Sequence, residues 1–239
     1  MTSLLYAVVP AAGVGARMQA DRPKQYLMLQ GKTILEHTLL KLLDFTAIEE
    51  IVLPVSLNDG YIKDIGIHSH DKVTLCEGGQ ERFHSVLNGL QTLLNKGVSR
   101  DAWVMVHDVA RPCIRLEDLN HLYKNANKNG VILGVQVRDT MKRTKSNAQV
   151  TDTVDRTHLW HAQTPQLAPL GALHDAISQS IQDGVPITDE ASALEYIGIM
   201  PTMLAGHPSN IKITQPEDLE MARAFIQLNH SQNQIKSTE

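Results

Sequence analysis

Apolar positions along this chain switch between two periods. The segment "LLYAVVP" (4–10) is a continuous apolar run, the pattern of a strand covered on both faces. "TILEHTLLKLLDF" follows with leucines at helical intervals, and Thr33 and Glu36 stand in capping-box spacing at its start. The alternation continues with "EEIVLPV" as strand, "DGYIKDIGI" as a short helix and "KVTLCEGG" as strand into a glycine turn. "ERFHSVLNGLQTLLN" reads as helix, "DAWVMVHD" as strand, "LEDLNHLYKNANKNG" as helix stopped by Gly130, and "VILGVQVRD" as strand. Strands alternating with helices at this spacing predict an α/β fold with a mostly parallel sheet and right-handed crossovers.

The pattern breaks over residues 138–160. "RDTMKRTKSNAQVTDTVDRTHLW" is polar and Thr-rich with no helical period, which fits a two-stranded arm standing off the domain or, equally, a solvated loop. An isolated hairpin is marginal in water, so an arm needs something to pack on, and a second copy of the chain is the simplest partner. Beyond it, "PLGALHDAISQSIQ" and "TDEASALEYIG" read as helices, the second with Thr188 as expected N-cap. "GIMPTMLA" and "NIKIT" read as short strands, and "TQPEDLEMARAFIQL" as a last helix with Thr214 and Glu217 in capping spacing. The whole is expected to be one domain, residues 1–230, with a flexible polar tail at 231–239.

Composition narrows the function. Hydrophobic residues are 42% of the 239, enough for a sizeable core. Aromatics are only 4%, which argues against stacking of nucleic-acid bases, and a formal net charge of -4 argues against a broad basic face. No apolar run approaches a membrane span, and residues 4–12 lack a basic leader and run into a cationic loop, so they read as the first strand. Neither nucleic acid nor membrane is an expected partner. Cys76 and Cys113 lie far apart and outside any C-x-x-C, as suits a reducing, cytoplasmic setting. Any anionic ligand must therefore be held by local cations.

Those cations gather in "VVPAAGVGARMQADRPKQYLML" (8–29). Gly13 and Gly15 let backbone N–H groups approach a ligand that a Cβ would keep away, and such groups form an anion nest. Arg17 adds a planar fork and Lys24 a compact ammonium. The combination suits a polyphosphate; the bland alternative is a glycine-rich surface loop with solvated charges. No G-x-x-x-x-G-K-[S/T] is present, and "GVGARM" puts Met18 in the third slot of a dinucleotide fingerprint, which disfavours an NAD-dependent dehydrogenase.

Two further anchors fall at strand ends. In "VHDVARP", Asp108 stands where ligands gather outside a parallel sheet, and it suits Mg²⁺, which takes one or two carboxylates plus substrate phosphates. The structural alternative is an ion pair with Arg111. His107 points to the opposite face of the strand and is expected to pack or hydrogen-bond below the site. In "EGGQERFHSV", Gly78 and Gly79 turn the chain into the next helix, either to read a base edge or simply to join strand and helix.

In this order, "PAAGVGARM", "PKQYL", "GGQERFHSV", "HDVARP", "VRDTMKR", "VDRTHLWHAQTPQ", "ITDEASALE" and "NIKITQPEDL" resemble the 2-C-methyl-D-erythritol 4-phosphate cytidylyltransferases. The resemblance runs from about Leu4 to Ile226. It implies a Rossmann-like nucleotidyltransferase fold, a homodimer joined by the arm, and Mg²⁺-assisted transfer of CMP from CTP to the polyol phosphate with release of pyrophosphate. By position, Arg17 and Lys24 match the residues that stabilise the transition state. Ala11, Ala12, Gly13 and Gly15 match the nucleotide-phosphate loop, and Gly79, Gln80, Arg82 and Ser85 the cytosine-recognising turn. Asp108 matches the metal-binding aspartate. Arg156, Thr164, Thr188 and Lys212 match positions near the acceptor phosphate or the α-phosphate, while Arg111 and Thr140 look like arm-side contacts to the neighbouring subunit's site. Val109 replaces a usual Ala and Ser209 a usual Asp. The rival readings are a cytidylyltransferase for another polyol phosphate, such as ribitol 5-phosphate, and a catalytically silent nucleotide-binding protein.

Overall fold

In the computed structural model, which describes residues 4–13 and 22–236 and side chains as far as 228, the first apolar run becomes β1 (Leu5–Val8). A 3-10 turn (Lys24–Tyr26) leads to a small hairpin, β2 (Met28–Leu29) and β3 (Lys32–Thr33), and then to α1 (Ile34–Leu43). The capping box at α1 forms as the spacing predicts: the Glu36 N–H donates to Thr33 Oγ1 and the Thr33 N–H to the Glu36 carboxylate. Next come β4 (Ile48–Val55), β5 (Val73–Glu77), α2 (Arg82–Asn95), β6 (Trp103–Val106), α3 (Leu116–Lys124) and β7 (Val131–Gln136). The arm is β8 (Met141–Thr144) and β9 (Val150–Val154); β10 (Trp160–Pro169), α4 (Leu170–Gln182), α5 (Glu190–Tyr196), β11 (Thr202–Ala205) and α6 (Pro216–Lys236) complete the chain.

Seven strands form the main sheet in the order β11-β7-β10-β6-β1-β4-β5. All neighbours run parallel except β10, which is antiparallel to both β6 and β7. Side chains alternate between two cores. Leu5, Ala7 and Val9 pack with Leu35, Leu39 and Leu119 on one face; Val8, Val52 and Val104 pack with Leu90, Leu173 and Leu194 on the other. This two-sided burial is why these strands read as unbroken apolar runs. A third cluster, including Leu29, Ile34 and Ile213, seats α6 with Ala222 and Ile226.

Residues 141–154 form a separate two-stranded antiparallel sheet, so the solvated-loop alternative falls away. Its apolar Met141 and Val150 are 37% and 55% exposed.

Several local expectations need correction. "DGYIKDIGI" forms two 3-10 turns, Ile62–Asp64 and Gly66–Ser69, rather than one helix. α3 stops at Lys124 because asparagine side chains compete for the backbone: Asn125 Nδ2 donates to the His121 carbonyl, and Asn127 Oδ1 accepts from the Asn129 N–H. Gly130 then turns at φ +88°. "NIKIT" joins no strand ladder, although the Ile213 N–H donates to the Ala110 carbonyl. The N-cap of α5 is Asp189, not Thr188, and its box partner is Ser192. At the start of α6 it is Asp218, not Glu217, that accepts from the Thr214 and Gln215 N–H groups. That helix continues to Lys236, through most of the polar tail.

Candidate active site

The sheet order sets the site. β1 has β4 on one side and β6 on the other, so the crevice at its carboxyl end is a topological switch point, where open α/β sheets bind ligands. Residues 10–13 leave β1 there, 78–81 leave β5, and 107–110 leave β6. Between them lies a cavity of about 320 Å³ lined by Ala12, Gly13, Lys24, Gln80, Arg82 and Asp108, among others. A Cβ added at Gly13 would meet no atom of the described residues within 4 Å. Gly78 and Gly79 are required by packing instead. A Cβ at the first would fall 2.3 Å from Ala12 Cβ, and at the second 2.3 Å from His84 Cβ.

Lys24 projects from a turn locked on both sides. Gln25, only 2% exposed, donates to the Ala11 carbonyl at 2.7 Å. The Tyr26 hydroxyl donates to Asp59 at 2.6 Å, and its ring stacks on Tyr61 with centroids 5.2 Å apart. Burial, reinforced by Asp59, pushes the Tyr26 phenol well above its ordinary value, so it stays a donor. Lys24 Nζ itself donates to the Ile213 carbonyl at 3.2 Å. Arg17 and Gly15 lie outside the described residues.

Asp108 is the electrostatic centre. Arg82 Nε approaches its carboxylate at 2.7 Å, Lys212 Nζ at 2.8 Å and Arg111 Nε at 3.7 Å. Burial opposes its ionisation, but Arg82, Lys212 and Arg111 more than offset this and hold the carboxyl well below the usual carboxylate range. The ion pair with Arg111 foreseen as an alternative exists, yet it is the longest of the three. A second cavity of about 180 Å³ also borders this cluster, bounded by Gln163, Gln166, Thr188 and Asp189 as well as Thr164 and Arg111. Arg82, Asp108 and Lys212 line both cavities.

His107 is fully buried beneath the cluster. Its Nε2 lies 3.1 Å from the Arg111 carbonyl, an acceptor, so Nε2 carries the proton and Nδ1 accepts from the Thr164 hydroxyl at 3.1 Å. The Thr164 oxygen in turn accepts from the Asp108 N–H at 3.0 Å. This relay fixes the backbone on both sides of Asp108 and needs a neutral imidazole. Burial lowers the His107 pKa from an ordinary 6.5 to about 4. Stability tied to this group is therefore complete above about pH 6.5 and declines as pH falls toward 4, by on the order of 3 kcal/mol in total. Urea unfolding between pH 4 and 7 should show this slope, and His107→Gln should flatten it. Equal slopes in the two proteins would contradict the assignment.

The first cavity thus gathers Ala12, Gly13, Lys24, Gly79, Gln80, Arg82, Ser85, Asp108 and Lys212, with Ala11 buried directly behind. The second gathers Thr164, Thr188 and Lys212 and, contrary to the arm-side expectation, Arg111, which pairs with Asp108 of the same chain. Thr140 and Arg156 flank the two strands of the arm and are exposed, lining neither cavity. Ser209 lines neither as well: it is 3% exposed, its hydroxyl 2.7 Å from His207 Nδ1. Val109 lines the first cavity, and its carbonyl accepts from Thr38 at 2.7 Å. Sequence reasoning passed over Gln25, Gln163, Gln166, Asp189 and Glu190. Four of these lie in or beside β10 and the α5 cap, where polar side chains erase the apolar signal.

A divalent cation fits this donor set. Among the described residues no group of three or more His, Cys, Asp or Glu side chains could hold a metal by itself. A single ionised carboxylate on the wall of an anion-binding cavity is instead what Mg²⁺ uses when phosphates complete its shell. In the structure the two oxygens of Asp108 are held by Arg82, Lys212 and Arg111.

Two cavities sharing one charged wall suit group transfer between two anionic partners. On a Rossmann-like sheet, with residues 10–13 at its switch point, they mark a nucleotidyltransferase. Residues 5–228 match the family described as IspD: 2-C-methyl-D-erythritol 4-phosphate cytidylyltransferase. A protein of that name from Vibrio vulnificus (strain YJ016) is 50% identical over 228 residues, 95% of each chain. One from Haemophilus influenzae (strain 86-028NP) is 48% identical over 229 residues, 96% of this chain and 99% of the other. The crystal structure of the Francisella tularensis protein of the same name superposes with a TM-score of 0.81 at 39% identity, covering 93% of this chain and all of that one. The chain belongs to the 2-C-methyl-D-erythritol 4-phosphate cytidylyltransferase family.

Proposed function

We propose that the protein transfers CMP from CTP to 2-C-methyl-D-erythritol 4-phosphate and releases pyrophosphate, a step in non-mevalonate isoprenoid precursor synthesis. The observation that carries this is the pair of cavities meeting at Arg82, Asp108 and Lys212. The larger suits the nucleotide and the smaller the polyol phosphate. Relatives of near 50% identity over nearly the whole chain favour this acceptor over ribitol 5-phosphate.

An acceptor phosphate oxygen attacks the α-phosphorus, one P–O bond forms, and the α–β bridge breaks as pyrophosphate leaves. The phosphate is largely ionised at neutral pH, so no base is needed, in keeping with a His107 buried away from both cavities. The obstacle is repulsion, about 4 kcal/mol per pair of unit charges at ~4 Å and an effective dielectric near 20. Lys24, with Arg17 from the same loop, holds the α-phosphoryl as charge develops. Lys212 and Arg111 orient the attacking phosphate, with Thr164 and Thr188 beside them. The backbone of Ala11, Ala12, Gly13 and Gly15 cradles the triphosphate, and Gly79, Gln80, Arg82 and Ser85 receive the base and sugar. Asp108 would hold Mg²⁺, which supplies charge neutralisation on the triphosphate and its leaving group when bound.

Pyrophosphate release with CTP and a panel of polyol phosphates, with and without Mg²⁺, tests this reading. Turnover is expected with methylerythritol phosphate and Mg²⁺; a preference for ribitol 5-phosphate, or none at all, would contradict it.

The arm supports a homodimer in which Thr140 reaches the neighbouring site, while Arg156 keeps its assignment near the acceptor phosphate. Its strands expose Met141 and Val150, apolar surface that a second copy covers. Shortening residues 138–160 should turn a sedimenting dimer into monomer; an intact protein that sediments as monomer would end the idea. No helix among the described residues is long and apolar enough to cross a membrane. The free thiols of Cys76 and Cys113 support a reducing, cytoplasmic setting.

A further inference from the structure

Glu190 belongs to neither cavity, yet it is tied to both. Its side chain is 3% exposed and grips Arg82 with two hydrogen bonds, NH1 at 2.6 Å and NH2 at 3.1 Å. Arg82 uses its remaining edge, Nε, for Asp108 at 2.7 Å. The two partners sit 108 residues apart, at the first positions of α2 and α5. Arg82 directly follows the turn 79–81 of the first cavity, and Glu190 directly follows Thr188 and Asp189 of the second.

We propose that Glu190 is a positioning residue, which fixes the Arg82 guanidinium as the common wall against which both substrates bind; this rests on the two-substrate reading above. A fork-to-fork pair sets the plane of the guanidinium as well as its place. The base of that fork is rigid. Gln166 Oε1 accepts from the Ala191 N–H at 2.8 Å, and Gln166 Nε2 donates to Asp189 at 2.9 Å, locking the start of α5 to β10. Around the wall stand three cations, Arg82, Lys212 and Arg111, and two carboxylates, Asp108 and Glu190. Without the Glu190 charge, Arg82 has a single carboxylate left to satisfy it. Its freed NH1 and NH2 edge would swing onto Asp108, which Nε already holds at 2.7 Å, out of the plane that serves both cavities, and add to the competition for the carboxylate assigned to the divalent cation.

The test is a double-mutant cycle of Arg82→Gln and Glu190→Gln, read by steady-state kinetics and by calorimetric CTP binding without acceptor. Glu190→Gln is expected to raise KM for both substrates and to weaken CTP binding by about 10- to 100-fold, the size of one lost charged hydrogen-bond pair. In the Arg82→Gln background the same change should add less than about 2-fold, because the residue acts through Arg82. Additive effects, or unchanged KM values with only a smaller folded fraction, would overturn the proposal. If Glu190→Gln does not fold, Glu190→Asp keeps the charge and shortens the reach. It should shift both KM values in the same direction, and wild-type values would overturn the proposal. The CTP calorimetry stands apart from turnover. Unchanged binding in Glu190→Gln, beside a wild type that releases pyrophosphate, sinks this inference alone. A wild type that binds CTP but transfers nothing sinks the reading above.

Discussion

Lys24→Ala is expected to lower kcat by about 10²–10³, the loss typical of one preorganised electrostatic donor, with a smaller change in KM for CTP. Three features support so large an effect. Lys24 lines the larger cavity together with Asp108 and Lys212. The turn carrying it is fastened by Gln25 to the Ala11 carbonyl and by Tyr26 to Asp59, so the charge is in place before the reaction and costs no reorganisation. Its deletion also removes little packing, because the turn is anchored by its neighbours. Single-turnover measurements at saturating CTP check this directly. A variant within a few-fold of wild type would take Lys24 off the list of groups that meet the transition state.

Asp108→Asn combines two losses. The amide is a far poorer ligand for a hard divalent cation, so the metal titration of CTP binding should move to much higher concentration, by about 10-fold or more. The substitution also leaves Arg82, Lys212 and Arg111 gathered around a neutral group in a buried place. Breaking a buried ion pair by removing one partner costs about 3–5 kcal/mol, so a clear fall in unfolding free energy should accompany the functional loss. An unchanged metal titration would move the ligand elsewhere, whatever happened to stability.

The ease of reading the sequence differed along the chain for physical reasons. β1, β4 and β6 are covered on both faces, and an unbroken apolar run follows from that burial. The α1 cap was legible because both members of its box lie three residues apart. β10 was not: it runs antiparallel through a parallel sheet, and its Gln163, Thr164 and Gln166 are all buried. Those side chains look like loop residues until their tertiary partners are known. The same holds for the site. Glycines, Lys24 and Asp108 announce themselves by type and by position at strand ends. Glu190 resembles any acidic residue in a helix's first turn, and only its contact with Arg82 distinguishes it. The α5 cap fell to Asp189 rather than Thr188 because Ser192, three residues on, completes a box with it.

The central claim is that cations gathered at one sheet edge let two phosphates meet. A crystal structure with CTP and a divalent cation tests it most directly. The triphosphate should lie along the backbone of residues 11–13, with its α-phosphate within hydrogen-bond reach of Lys24 Nζ and the cation on Asp108. A triphosphate seated outside the cavity bounded by Gly13, Lys24 and Asp108 would contradict the account.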